Sequence, residues 1–147
     1  TASMDFAALD GADGFHFTGV GAYSVSGAGD IDGDGFADLI VGARFADPNG
    51  VSNAGESYVV FGRASGFSAT LDLPSLNGTD GFRLDGIDAY DGSGFSVSGA
   101  GDFNGDGFAD LIVGGQGGNR NGDGSASESY IVFGQASWTS IRLCGRH

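Results

Sequence analysis

Two nine-residue acidic runs, Asp30-Ile31-Asp32-Gly33-Asp34-Gly35-Phe36-Ala37-Asp38 and Asp102-Phe103-Asn104-Gly105-Asp106-Gly107-Phe108-Ala109-Asp110, place carboxylates or an amide at positions 1, 3, 5 and 9. A hard cation such as Ca²⁺ takes six to eight oxygens at roughly 2.3 to 2.6 Å, and alternate residues of a tight loop turn their side chains to one centre. Glycine at the sixth position permits the sharp turn that a Cβ would obstruct. Asp-Gly pairs also form ordinary hairpin turns. A turn needs one such pair, however, whereas the first run gathers four carboxylates that repel one another unless a cation lies between them. Neither run contains Cys or His, which disfavours Zn²⁺ and copper. A flexible oxygen cage favours Ca²⁺ over Mg²⁺.

By analogy with the first half of an EF-hand loop, the side chains of Asp30, Asp32 and Asp34, and of Asp102, Asn104 and Asp106, are the expected ligands. The backbone carbonyl of Phe36 or Phe108 fills position 7, and Asp38 or Asp110 finishes the cage. About two Ca²⁺ sites with a structural role are expected. A third run, Asn119-Arg120-Asn121-Gly122-Asp123-Gly124, begins like such a cage but has Ser127 at its ninth position and reads as an exposed turn. His16, between Phe15 and Phe17, reads as a solvent-facing residue of an outer strand.

The elements around these loops repeat. Residues 25–42 and 97–114 are identical at 16 of 18 positions, and Ser57-Tyr58-Val59-Val60-Phe61-Gly62 returns as Ser129-Tyr130-Ile131-Val132-Phe133-Gly134 at the same offset of 72. Upstream, Asp13-Gly14-Phe15 matches Asp80-Gly81-Phe82 at an offset of 67, the second copy carrying five extra residues near Tyr90-Asp91-Gly92. Each unit reads as four short strands. Gly94 to Gly101 is extended and built of small residues, which suits a crowded position where backbones converge. Phe36 to Val41 and Tyr58 to Phe61 are nearly continuous apolar runs, so both faces of those strands are expected to be covered. Gly81-Phe82-Arg83-Leu84-Asp85 alternates as an outer strand with one wet face does. Together these describe an all-β chain of propeller blades, in which four-stranded antiparallel sheets pack face to face. A period near 70 residues is too long for one coil of a solenoid.

Composition agrees. The 147 residues include 30 Gly, 17 Asp, 6 Arg and no Lys, for a net charge of -13. Such a charge repels nucleic-acid phosphates and anionic lipid. No apolar run reaches the roughly 18 to 20 residues that span a bilayer. The single Cys144 has no intramolecular disulfide partner, and nothing around it marks a nucleophile. No catalytic constellation is legible, so the chain reads as a non-enzyme.

The recurring Gly-Phe-Ser-Val-Ser-Gly-Ala-Gly-Asp of residues 94–102, the two acidic loops, Phe-Ala-Asp-Leu-Ile-Val-Gly and Ser-Tyr-Val-Val-Phe-Gly together resemble FG-GAP repeats. These are the units of integrin alpha-chain β-propellers and of many bacterial secreted proteins. The resemblance divides the chain into repeat 1 (residues 1–67), repeat 2 (68–137) and a divergent tail (138–147). It implies Ca²⁺ in a hairpin loop between the first two strands of each blade. Its ligands fall on Asp30, Asp32, Asp34 and Asp38, and on Asp102, Asn104, Asp106 and Asp110. It also implies a secreted, extracellular or periplasmic location and a role in adhesion or protein binding. The Phe-Gly pair of the family is Tyr23-Ser24 and Phe95-Ser96 here, and the Gly-Ala-Pro signature is Gly42-Ala43-Arg44 and Gly114-Gly115-Gln116.

Blades that bury faces against their neighbours are rarely stable in pairs. The expected partner is therefore another protein or further copies of this chain that complete the propeller, with residues 4–18 able to supply an outer strand to another molecule. The alternatives are a structural accessory subunit packed in a larger extracytoplasmic complex, or a piece of a longer secreted multi-repeat protein. Arg44 to Ala54 and Gln116 to Ala126 are the expected ligand-facing loops.

Overall fold

The structure is a computed structural model that describes residues 2–117 and 127–138. Among these residues there is no α-helix, and no helix long and apolar enough to cross a membrane. Nine strands run in chain order: β1 (His16–Thr18), β2 (Ser24–Gly29), β3 (Asp38–Ala43), β4 (Glu56–Val60), β5 (Thr70–Asp72), β6 (Gly81–Asp85), β7 (Ser96–Gly101), β8 (Asp110–Gly114) and β9 (Ser129–Val132).

The first blade is the antiparallel sheet β2-β3-β4-β6, and the second is β7-β8-β9. Their registers repeat: Val25 pairs with Val41 and Val97 with Val113, and a bulge interrupts β2 between Gly27 and Gly29 as it does β7 between Gly99 and Gly101. The small inner strands β2 and β7 lie side by side. A Cβ on Gly99 would stand 3.1 Å from the Gly27 carbonyl oxygen, which explains why this approach is built from glycine.

The outer strand of the first blade is β6, paired to β4 with Val60 opposite Gly81 and Tyr58 opposite Arg83. This blade therefore extends past residue 67, because sequence repetition sets the period of the units but not their phase. In the second blade the expected fourth strand is missing among the described residues.

Alternation along the strands divides the core into two layers. Ile40, Val59 and Phe61 face the second blade and pack with Val97, Leu111 and Val113, flanked by Phe82, Leu84 and Trp138. On the other face, Val41, Ala43, Tyr58 and Val60 pack under Leu73 together with Phe17, Val20 and Leu71. That cover is a parallel pair, β1 with β5, in which Phe17 sits opposite Leu71. Both faces of β4 are buried, as its apolar run predicts, whereas β9 alternates between exposed and half-buried residues. His16 is exposed on β1, as expected.

Candidate metal centre

Each acidic loop joins the inner strand of a blade to the next strand, β2 to β3 and β7 to β8. Its conformation is fixed by its own backbone. Asp30 accepts the N–H groups of Gly33 and Asp34 on Oδ1, at 2.8 and 3.0 Å, and that of Gly35 on Oδ2, at 2.9 Å. Asp32 accepts from Asp34 N–H at 3.2 Å, and Asp34 accepts from Phe36 N–H at 2.8 Å. The second loop repeats this pattern, with Asp102 accepting from Asp106 and Gly107 and Asp106 from Phe108. Gly35 and Gly107, at the sixth position of each loop, both have φ of +92°, a conformation that strains other residues.

Asp38 and Asp110 stand at the start of β3 and β8 and are almost fully buried. Asp38 Oδ2 accepts the Ile31 N–H and Oδ1 the Gly62 N–H, both at 2.8 Å. Asp110 accepts from Phe103 at 2.7 Å and Gly134 at 2.9 Å in the same way. The ninth position thus pins the loop to the turn after the third strand, a structural duty that the spacing of carboxylates does not reveal.

In the first loop, oxygens of Asp30, Asp32 and Asp38 come within 4.8 Å of one another. The Asp34 carboxylate stands outside this trio, facing the Phe36 N–H. Burial, reinforced by the charges of Asp38, Asp34 and Asp30, pushes the Asp32 carboxyl up to about 6 against the pull of the Asp34 N–H. Burial also raises Asp38, opposed by the N–H groups of Gly62 and Ile31. Three carboxylates at this separation, one of them driven to hold its proton, form a donor set that a divalent cation would neutralise. The residues fit the hard-oxygen centre read from the sequence.

Among the described residues no such trio forms in the second loop, where Asn104 replaces Asp32 and its Nδ2 donates to Asp106 at 3.0 Å. The third loop at 119–124, Cys144 and the tail beyond Trp138 lie outside the described residues.

The first loop is also part of the joint between blades. The Asp30 carbonyl accepts the Ala109 N–H and the Ile31 carbonyl the Gln135 N–H, each at 3.0 Å. A second link was not legible in the sequence. Arg44 lies 4.8, 4.3 and 4.9 Å from the ring centroids of Tyr23, Phe45 and Phe95, and its Nη1 donates to Gln116 Oε1 at 2.6 Å. The signal was present in the departures from the repeat pattern: Tyr23 and Phe95 take the aromatic position of the Phe-Gly pair and stack on one another across the blades.

The family described as the FG-GAP repeat matches residues 21–60 and again 93–132. Human integrin alpha-IIb is 33% identical over 119 residues, which make up 75% of this chain and 10% of the integrin. The chain therefore spans about a tenth of the length of that relative.

Proposed function

Because the chain belongs to the FG-GAP repeat family and carries two of its repeats in tandem, we propose that it is a calcium-binding, extracellular β-propeller module that acts by binding protein partners rather than by catalysis. The observation that carries the calcium reading is the clustering of Asp30, Asp32 and Asp38 in a loop whose shape is fixed by its own N–H groups. In the first loop these three carboxylates would hold the ion, with Asp34 and the Phe36 carbonyl completing the oxygen set. In the second loop the same work falls to Asp102, Asn104, Asp106, the Phe108 carbonyl and Asp110. The ion supplies positive charge that offsets carboxylate repulsion; it is not asked to do chemistry.

The place of the loop in the fold gives this charge a purpose. Asp30 and Ile31 accept hydrogen bonds from the neighbouring blade, so an ion that stiffens the loop stiffens the joint between blades. Outside the cell, millimolar Ca²⁺ fills sites of modest affinity. Similarity to an integrin alpha chain supports adhesion or protein binding as the role. A structural accessory subunit is the second reading, favoured by the exposed apolar residues Ile112, Ile131 and Phe133 on the second blade.

The test is a calorimetric Ca²⁺ titration after chelator treatment. Uptake of about two ions per chain, with loss of one in Asp30→Ala and of the other in Asp102→Ala, is the expected result. Absence of uptake at 10 mM Ca²⁺, on the order of ten times the weakest extracellular affinities, would overturn the reading.

A further inference from the structure

The turn that leads into β6 has a copy ahead of β1, and the two differ in the groups they present. In the later copy Asn77 N–H donates to Asp80 Oδ1 at 3.0 Å, and in the earlier one Asp10 N–H donates to Asp13 Oδ1 at 3.1 Å. Gly78 and Gly11 donate to the carbonyls of Gly81 and Gly14, both at 2.8 Å. The first side chain of each turn also accepts the N–H two residues on, Asn77 Oδ1 from Thr79 at 3.0 Å and Asp10 Oδ1 from Ala12 at 2.9 Å. The turn thus needs one side-chain oxygen at its first position, which Asp or Asn supplies equally, and nothing beyond a methyl group at its third. The later copy adds two groups that this shape does not require: the amide nitrogen of Asn77 and the hydroxyl of Thr79.

Those two groups stand at the spacing Asn-x-Thr with no proline between them, the acceptor pattern for an asparagine-linked glycan. None of the other asparagines, Asn49, Asn53, Asn104, Asn119 and Asn121, has Ser or Thr two residues on. The Thr79 hydroxyl donates to Asn77 Oδ1 at 2.6 Å, so the two side chains of the pair already face one another. With Oδ1 holding both hydrogen bonds, Nδ2 is left over, and among the described residues it donates to no acceptor. Asn77 and Thr79 are exposed, and Asn77 and Gly78 border an open hollow of about 340 Å³, which leaves room for a bulky substituent. The turn opens onto β6, the outermost strand of the first blade, whereas the acidic loop follows β2, the innermost.

We propose that Asn77 is a modification site, the acceptor of an asparagine-linked glycan, and that its co-substrate is an oligosaccharide carried on a lipid diphosphate. In the transfer, Nδ2 of Asn77 forms a bond to the anomeric carbon of the first sugar. The bond from that carbon to the diphosphate oxygen breaks, its electron pair leaves with the lipid diphosphate, and Nδ2 gives up one proton. The Thr79 hydroxyl is the second element that the transferase reads.

A bulky, hydrated group at this turn covers the outer rim of the first blade beside Phe82 and Trp138, which line the same hollow. It bars that part of the rim from close docking by another protein and leaves the acidic loops uncovered. The inference rests on the extracellular reading above, because the transfer acts on chains that enter the secretory pathway, and not on the identity of the ion.

The test translates the full chain, behind a cleavable signal sequence, into microsomes that carry the transferase and its lipid-linked oligosaccharide. The protease-protected chain is then read by gel mobility and by peptide mass before and after treatment with a glycan-releasing amidase. The expected result is a single upward shift that the amidase removes, leaving aspartate in place of Asn77. Asn77→Gln and Thr79→Ala abolish the shift, while Thr79→Ser retains it. Because the readout is taken on the translocated chain, it does not depend on export or on the stability of a variant, and Thr79→Ala gives the turn the residue that Ala12 already supplies in its copy. A protected chain without the shift, or a shift that survives Asn77→Gln or Thr79→Ala, would overturn the proposal and leave the extracellular reading standing. Fractionation of the cells that make the protein checks that reading separately: the glycosylated form is expected outside the cytosol, and an unmodified chain confined to the cytosol contradicts the extracellular reading and, with it, the modification.

Discussion

The two blades share almost the same residues and live in different surroundings. Ile31, Ile40 and Phe61 of the first are 0%, 0% and 8% exposed, while their counterparts Phe103, Ile112 and Phe133 are 70%, 38% and 51% exposed. On the opposite face the order reverses, with Leu111 at 0% and Leu39 at 42%. The sequence of a blade makes both faces apolar; the neighbour decides which is buried. The acidic loops follow the same rule, since the first bonds to the adjoining blade through Asp30 and Ile31 and the second faces open space at Phe103.

The contrast is broken most strongly in the core. Leu111→Ala is expected to cost about 2 to 5 kcal/mol, the range for a buried leucine, whereas Leu39→Ala costs about 1 kcal/mol or less. Urea midpoints at unchanged slope measure both, and equal losses would mean that the blades do not pack as described. Removal of Ca²⁺ comes next. At 1 mM Ca²⁺ and dissociation constants of about 0.1 to 1 mM, each filled site stabilises by about 0.4 to 1.4 kcal/mol, which chelator abolishes.

Acidity sharpens the comparison between the loops. In the ion-free chain the Asp32 carboxyl titrates at about 6, above its ordinary value of 3.8. Its contribution to stability is therefore fully present below pH 3.8 and is lost as pH rises through about 6. An ion needs the deprotonated group, so its affinity for the first loop moves the other way and falls about tenfold between pH 7 and pH 5. Asp32→Asn gives this loop the amide that Asn104 gives the second, and the fall is expected to shrink accordingly in a Ca²⁺ titration at the two pH values. The smallest effect concerns the outer strands. Arg83 pairs with Asp85 at 2.5 Å and with Glu56 at 3.6 Å on a half-exposed edge. Arg83→Met is expected to cost under about 1 kcal/mol, shrinking further at 1 M salt.

Much of this architecture could be read from the chain alone. Small residues from Ser96 to Gly101 marked an inner strand, and the alternation of Phe82, Arg83 and Leu84 marked an outer one. The spacing of Asp30, Asp32 and Asp38 brought those carboxylates together. What stayed hidden depends on distant contacts. Nothing local tells that Asp38 is tied to Gly62, that β6 lies across the boundary of the sequence units, or that Phe17 and Leu71 form a lid over Tyr58. Burial of the Tyr58 phenol beside Glu56, which raises its proton affinity, likewise arises from sheet pairing and the lid.

The central claim is that the acidic loops hold Ca²⁺, and diffraction from crystals grown with Ca²⁺ tests it most directly. The expected result is an anomalous peak in each loop, about 2.3 to 2.6 Å from oxygens of Asp30, Asp32 and Asp38 in one and of Asp102, Asn104 and Asp110 in the other. Loops that keep their shape with no peak at either position, in crystals soaked with 10 mM Ca²⁺, on the order of ten times the weakest extracellular affinities, would contradict the account.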